Sequence, residues 1–111
     1  MAALSGRPGL YQRASFDENT AATHANVITG VAGFKIRVVA LAGHSASANT
    51  ATIEYNGNDL YVYFGANATN VLVLPYNLSG WFEAPVAEGI DILLSGAVRT
   101  VFQFGYVLVE V

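Results

Sequence analysis

From residue 24 onward, apolar residues recur at every second position in short runs, and clusters of Gly, Asn, Ser and Pro separate the runs. A period of two sends successive side chains to opposite faces of a strand, whereas a helix needs a repeat near 3.6. The runs are His24–Thr29, Phe34–Gly43, Thr50–Tyr55, Leu60–Phe64, Val71–Leu74, Gly80–Glu83, Ile90–Ser95 and Val98–Val111. Asn56-Gly57 falls between two of them, and both residues tolerate the positive φ that a tight hairpin requires. No window carries a capped helical repeat; Ala21–Ala25 is the one helix-like stretch, and it is short. The pattern predicts an all-β fold: an antiparallel β-sandwich, jelly-roll-like, of about eight strands.

Composition narrows the class. A chain of 111 residues is one domain. Hydrophobic residues make up 53% and charged residues 12%, against about 25% charged in an average soluble domain, which excludes intrinsic disorder. Without cysteine there is no disulfide, thiolate metal site or cysteine nucleophile. The net charge of −3 argues against nucleic acid as a partner. No apolar run approaches the roughly 20 residues of a spanning helix. The first residues lack a cationic start followed by an apolar stretch, so neither a signal peptide nor a membrane partner is expected.

The charges are unevenly placed. Residues 1–16 hold Arg7 and Arg13 and no acid, while 17–111 hold three cations against eight acids, +2 against −5. Pro8 and Gly9 exclude a helix there, so residues 1–16 read as an extended N-terminal arm and 17–111 as the sandwich domain. Tyr11 and Phe16 give the arm apolar anchors. The alternative makes the arm the first strand of the sandwich, where its deletion would impair folding.

The last strand is apolar on both faces. Phe102, Phe104, Tyr106 and Leu108 share one side; Val101, Val107, Val109 and Val111 share the other with Gln103 and Gly105. A sandwich strand in a monomer has one wet face, so a second copy of the chain is expected to cover one side. Phe102, Phe104 and Tyr106 are the candidates for that oligomer interface.

Chemistry-bearing motifs are scarce. Gly43-His44-Ser45-Ala46-Ser47 approaches the G-x-S-x-G nucleophile elbow but fails at its last position, and no helix follows. His24 and His44, twenty residues apart, lack any metal-ligand spacing. The acids form no evident catalytic pair, and Asn56-Gly57-Asn58-Asp59 lacks the acidic ladder of a calcium loop. No enzyme activity, metal or cofactor is expected. Trp81 and Tyr76, in a Pro- and Gly-punctuated stretch, are candidates for an aromatic surface that meets a partner.

Residues 34–111 resemble a known family. The cues are Leu74-Pro75-Tyr76-Asn77, Gly80-Trp81-Phe82-Glu83, the short strand Ile90-Asp91-Ile92-Leu93-Leu94-Ser95 and the closing Phe104-Gly105-Tyr106-Val107. Together they resemble small β-sandwich capsid decoration (cement) proteins of tailed bacteriophages. The resemblance implies a virion structural protein on the capsid surface, made in the host cytoplasm. It also implies a homo-oligomer, commonly a trimer, with the major capsid protein as partner. Arg7, Tyr11, Arg13 and Phe16 would then be capsid-contact residues. The alternative is a tail, fibre or baseplate module that binds a host glycan or partner protein, with Tyr61, Tyr63, Tyr76 and Trp81 as the stacking surface.

Overall fold

The Asn56-Gly57 pair is the tip of one long hairpin. Asn56 has φ 46° and Gly57 φ 81°, and Tyr55 pairs with Asn58 across them. That is the two-residue geometry whose twist matches the flanking strands. The computed structural model describes residues 11–65, 67 and 71–111. Its nine strands are β1 (Tyr11–Glu18), β2 (Thr23–Ile28), β3 (Phe34–Ser45), β4 (Asn49–Tyr55), β5 (Asn58–Gly65), β6 (Val71–Leu74), β7 (Phe82–Ala84), β8 (Ile90–Leu94) and β9 (Thr100–Glu110).

Pairing is nested outward from the tip: β4 with β5, β3 with β6 and β7, β2 with β8, β1 with β9, all antiparallel. The long hairpin then rolls up. β9 also pairs with β3, and β8 with β4. Two sheets result, β1-β9-β3-β6 with β7 also on β3, and β2-β8-β4-β5. Nested hairpin pairs rolled into two facing sheets are jelly-roll connectivity. The expected all-β sandwich is therefore the fold.

Alternation decides which side chains fill it. Ile36, Val38, Leu41, Phe102, Phe104 and Leu108 point inward from the first sheet. Ala51, Ile53, Ile90, Ile92 and Leu94 meet them from the second. Phe102 touches rings on several sides, with centroids 5.6 Å from Tyr63 and 6.1 Å from both Phe16 and Phe104.

Three expectations are corrected here. Phe102 and Phe104 are 0% and 1% exposed inside their own chain, so they are core residues and cannot face another subunit. Tyr106 lies on the same inward side, packs against the core, and donates its hydroxyl to Gln12 Oε1 at 3.4 Å; burial holds that phenol above its usual range. The boundary at residue 16 has no structural counterpart. β1 runs through it in unbroken register with β9, from Tyr11 opposite Val107 to Glu18 opposite Thr100, and Phe16 is buried. From Tyr11 onward the expected arm is the edge strand of the first sheet. Its aromatic ring at position 16 has gone to the core and is unavailable to a capsid. Arg7, Pro8 and Gly9 lie outside the described residues.

A candidate docking surface

β3 carries a bulge between Val38 and Ala40 that skips Val39 in the pairing with β9. Bulges bend a strand and re-aim its groups. Here the two carbonyls at the bulge hold the connection between β6 and β7. Asn77 N–H donates to the Val39 carbonyl and Trp81 N–H to that of Val38, each at 2.8 Å. Gly80 N–H donates to the Asn77 carbonyl at 2.8 Å, and Ser79 N–H to Asn77 Oδ1 at 3.0 Å. The Trp81 indole N–H donates to the Pro75 carbonyl at 2.8 Å. Gly80 sits at φ 85°, where a side chain would be strained and would also strike the Arg37 stem. The connection is thus built on hydrogen bonds of its own.

What it displays is apolar. Val71, Val73, Tyr76 and Leu78 are each 60–63% exposed, and Trp81 is 42% exposed. Val71 and Val73 face outward because Leu72 and Leu74 take the inward positions opposite Gly43 and Leu41. Next to them, a groove of about 320 Å³ crosses the outer face of the first sheet. Its floor is small, Ala40, Ala42 and Gly105, and its walls include Tyr11, Arg13 and Val73. Gly105 lets the Tyr11 ring lie across the sheet, since a Cβ there would collide with it. Tyr11 in turn reaches Tyr76, with centroids 6.0 Å apart. Beyond the connection, Glu83 accepts from Arg37 Nε at 2.7 Å with Lys35 3.9 Å away, so that carboxylate is already paired.

The candidate residues therefore divide. Tyr11, Arg13, Tyr76 and Trp81 share one region of surface. Tyr61 and Tyr63 do not join it: Tyr63 is buried and Tyr61 stacks on Phe82 with centroids 6.0 Å apart, both packed into the core. That corrects their expected place in a stacking surface. In the sequence Val71–Leu74 already reads as apolar on both faces, like the last strand, with a second copy of the chain as the expected cover; Leu78 is the residue that sequence reading missed. The available signal was charge: residues 60–82 contain no Asp, Glu, Lys or Arg.

Chemistry does not converge elsewhere. The Ser45 hydroxyl is buried and donates to the Ser47 carbonyl at 2.6 Å, so it is no nucleophile elbow. His24 and His44 lie on different sheets, and His24 Nε2 sits 2.9 Å from the Thr20 carbonyl oxygen. Three acids do meet: Asp59, Glu54 and Asp91 form a row across β5, β4 and β8. Burial first, then the charges of Asp59 and Asp91, raise the Glu54 carboxyl above its usual range. Asp91 Oδ1 accepts from the Asn26 N–H at 2.9 Å. Among the described residues, no group of three or more His or acidic side chains is arranged to hold a metal ion.

No family model, curated protein or solved structure matches this chain.

Proposed function

We propose that this chain is a structural subunit of a bacteriophage virion, a capsid decoration protein that works by docking rather than by catalysis. The observation that carries the reading is the apolar surface around β6, displayed on a connection hydrogen-bonded to the bulge carbonyls of β3. A soluble domain that places Val71, Val73, Tyr76 and Leu78 in water gains by covering them. A surface fixed before contact loses little conformational freedom on docking. The jelly roll and the sequence resemblance over residues 34–111 support the virion assignment. The partner on the shell is the major capsid protein, met through the β1 edge of the first sheet, where Arg13 is exposed and Arg7 precedes it. An exposed ion pair adds only about 0–1 kcal/mol, so repetition across an oligomer, of which a trimer is the expected form, supplies the strength.

The glycan-binding alternative is less well supported. A sugar platform needs free polar groups around its aromatic face, and the Trp81 indole N–H is already committed to Pro75. Immunogold labelling of particles from the encoding phage, with antibody raised against this chain, tests the assignment. Label over the heads is expected. Label confined to tails supports the alternative, and unlabelled particles refute both.

A further inference from the structure

We propose that the outer surface around β6, formed by Val71, Val73, Tyr76, Leu78 and Trp81, is where a second copy of this chain packs. The inference goes beyond the virion assignment and stands without it. It also moves the self-contact off the aromatic face of β9, which is spent on the core.

Area is the first argument. At the observed exposures these five residues leave on the order of 500–600 Å² of mostly apolar surface in water, about two-thirds of the roughly 800 Å² per partner that a stable interface buries. A patch of that size is at the upper end of the roughly 300–600 Å² found for the largest patch of ordinary monomers, which is often functional.

Charge is the second argument. Each copy carries a net charge of −3, so two copies repel wherever their acids face one another. Residues 60–82 carry no charge at all, and the nearest acid, Glu83, is paired with Arg37. Two cations border the patch: Arg37, which reaches the Leu78 carbonyl and is paired with Glu83, and Arg13, whose cation attracts a net-negative copy. No described acid lies within salt-bridge distance of it. Interface cores are depleted in charge in the same way.

The third argument is the edge itself. Among the described residues β6 pairs with β3 on one side only, and it is an outermost strand of its sheet. Exposed edges are ordinarily blunted by being very short or by a charge or a proline within the strand. β6 is short, at four residues, but Val71-Leu72-Val73-Leu74 carries neither charge nor proline, and Pro75 comes only after its end. A second copy covers both the free edge and the two valines beside it.

Sedimentation velocity over a hundredfold concentration range decides the matter. The wild-type chain is expected to sediment as a closed oligomer. Val73→Asp and Leu78→Ser each change an outward side chain and leave the core intact. Both are expected to sediment as the 11.7 kDa monomer, with self-affinity weakened at least tenfold and far-UV circular dichroism unchanged. Phe64→Ser, on the outer face of the second sheet, is expected to leave assembly intact. A wild-type monomer throughout the range overturns the proposal. So does assembly that survives both patch variants, or assembly lost equally with Phe64→Ser. Because the readout involves no phage particle, a chain that self-associates but labels no virion sinks the decoration assignment alone.

Discussion

The Ser45 end of β3 and the bulge at its middle handle polar and apolar groups in opposite ways. At the Ser45 end, Asn49 is a hub. Its Oδ1 accepts from Gly96 N–H at 2.8 Å, Thr50 N–H at 3.0 Å and the Ser95 hydroxyl at 3.1 Å. Its Nδ2 donates to Thr100 Oγ1 at 3.1 Å and, more weakly, to the Gly96 and Val98 carbonyls. One side chain thereby ties the β3–β4 turn to the β8–β9 turn. At the bulge, the 75–81 connection places four of its backbone N–H groups, those of Asn77, Ser79, Gly80 and Trp81, in hydrogen bonds, yet leaves its apolar side chains in water. The first arrangement uses a polar side chain to join two turns. The second leaves apolar surface in water, which contact with a neighbour would cover. Both regions hydrogen-bond within the chain; what separates them is whether the side chains they carry end inside the chain or in water.

The largest expected effect breaks the inner side of that comparison. Phe102→Ala opens a cavity among Phe16, Tyr63 and Phe104 and should cost about 3–5 kcal/mol. Urea unfolding should show the loss independently of protein concentration; a loss that disappears on dilution would place Phe102 at a subunit contact instead. Asn49→Ala comes next. It strands the Gly96 N–H and removes the amide donor to Thr100 Oγ1, whose own hydrogen bond to the Val98 carbonyl remains; the loss should cost about 1–3 kcal/mol. An unfolding midpoint within error of wild type would show that water replaces the hub. Gly105→Ala has a smaller effect, about 1 kcal/mol. The new methyl group must displace the Tyr11 ring, so Tyr76 ring resonances in an NMR spectrum should shift while core methyl resonances hold.

Much of the fold was legible because alternation reports burial directly. The strand runs from Phe34 to Tyr55 and from Ile90 to Val111 lie within a few residues of β3, β4, β8 and β9. Asn56-Gly57 forms its turn. The two runs Val71–Leu74 and Gly80–Glu83 correspond to β6 and β7, one lane beside β3 interrupted by the 75–81 connection. Alternation fails where both faces are apolar, because period two then separates the faces without ranking them. Phe102 and Val101 illustrate this: only the packing of the second sheet shows that the aromatic side is inside. β1 was obscured for a different reason, since Arg13 and Asp17 alternate with Ala14 and Phe16 too briefly to outweigh Pro8 and Gly9. The docking surface depends on the Val39 bulge, which no spacing in the sequence announces. The Asn49 hub joins residues about fifty positions apart, beyond the reach of any local pattern.

The smallest expected effect concerns a group that neither of those two regions explains. Glu54 is buried between Asp59 and Asp91, and its carboxyl is raised above its ordinary range by burial and by those two charges. A folded-state value above the unfolded one means that ionising Glu54 costs the folded chain more than the unfolded chain. Its stabilising contribution is therefore full below the ordinary carboxylate range and is lost as pH rises through the raised value. Glu54→Gln removes the charge and keeps the shape. Like charges directly opposite on neighbouring strands cost roughly 0.2–1 kcal/mol, so at neutral pH the variant should be more stable than wild type by about that amount. At about pH 3, where the carboxyl is protonated in both states, the gap should close. Urea midpoints for both proteins at the two pH values measure it. A gap of the same size at both would mean that the substituted amide gains by packing or hydrogen bonding, and that the acidic row carries no electrostatic cost for the fold.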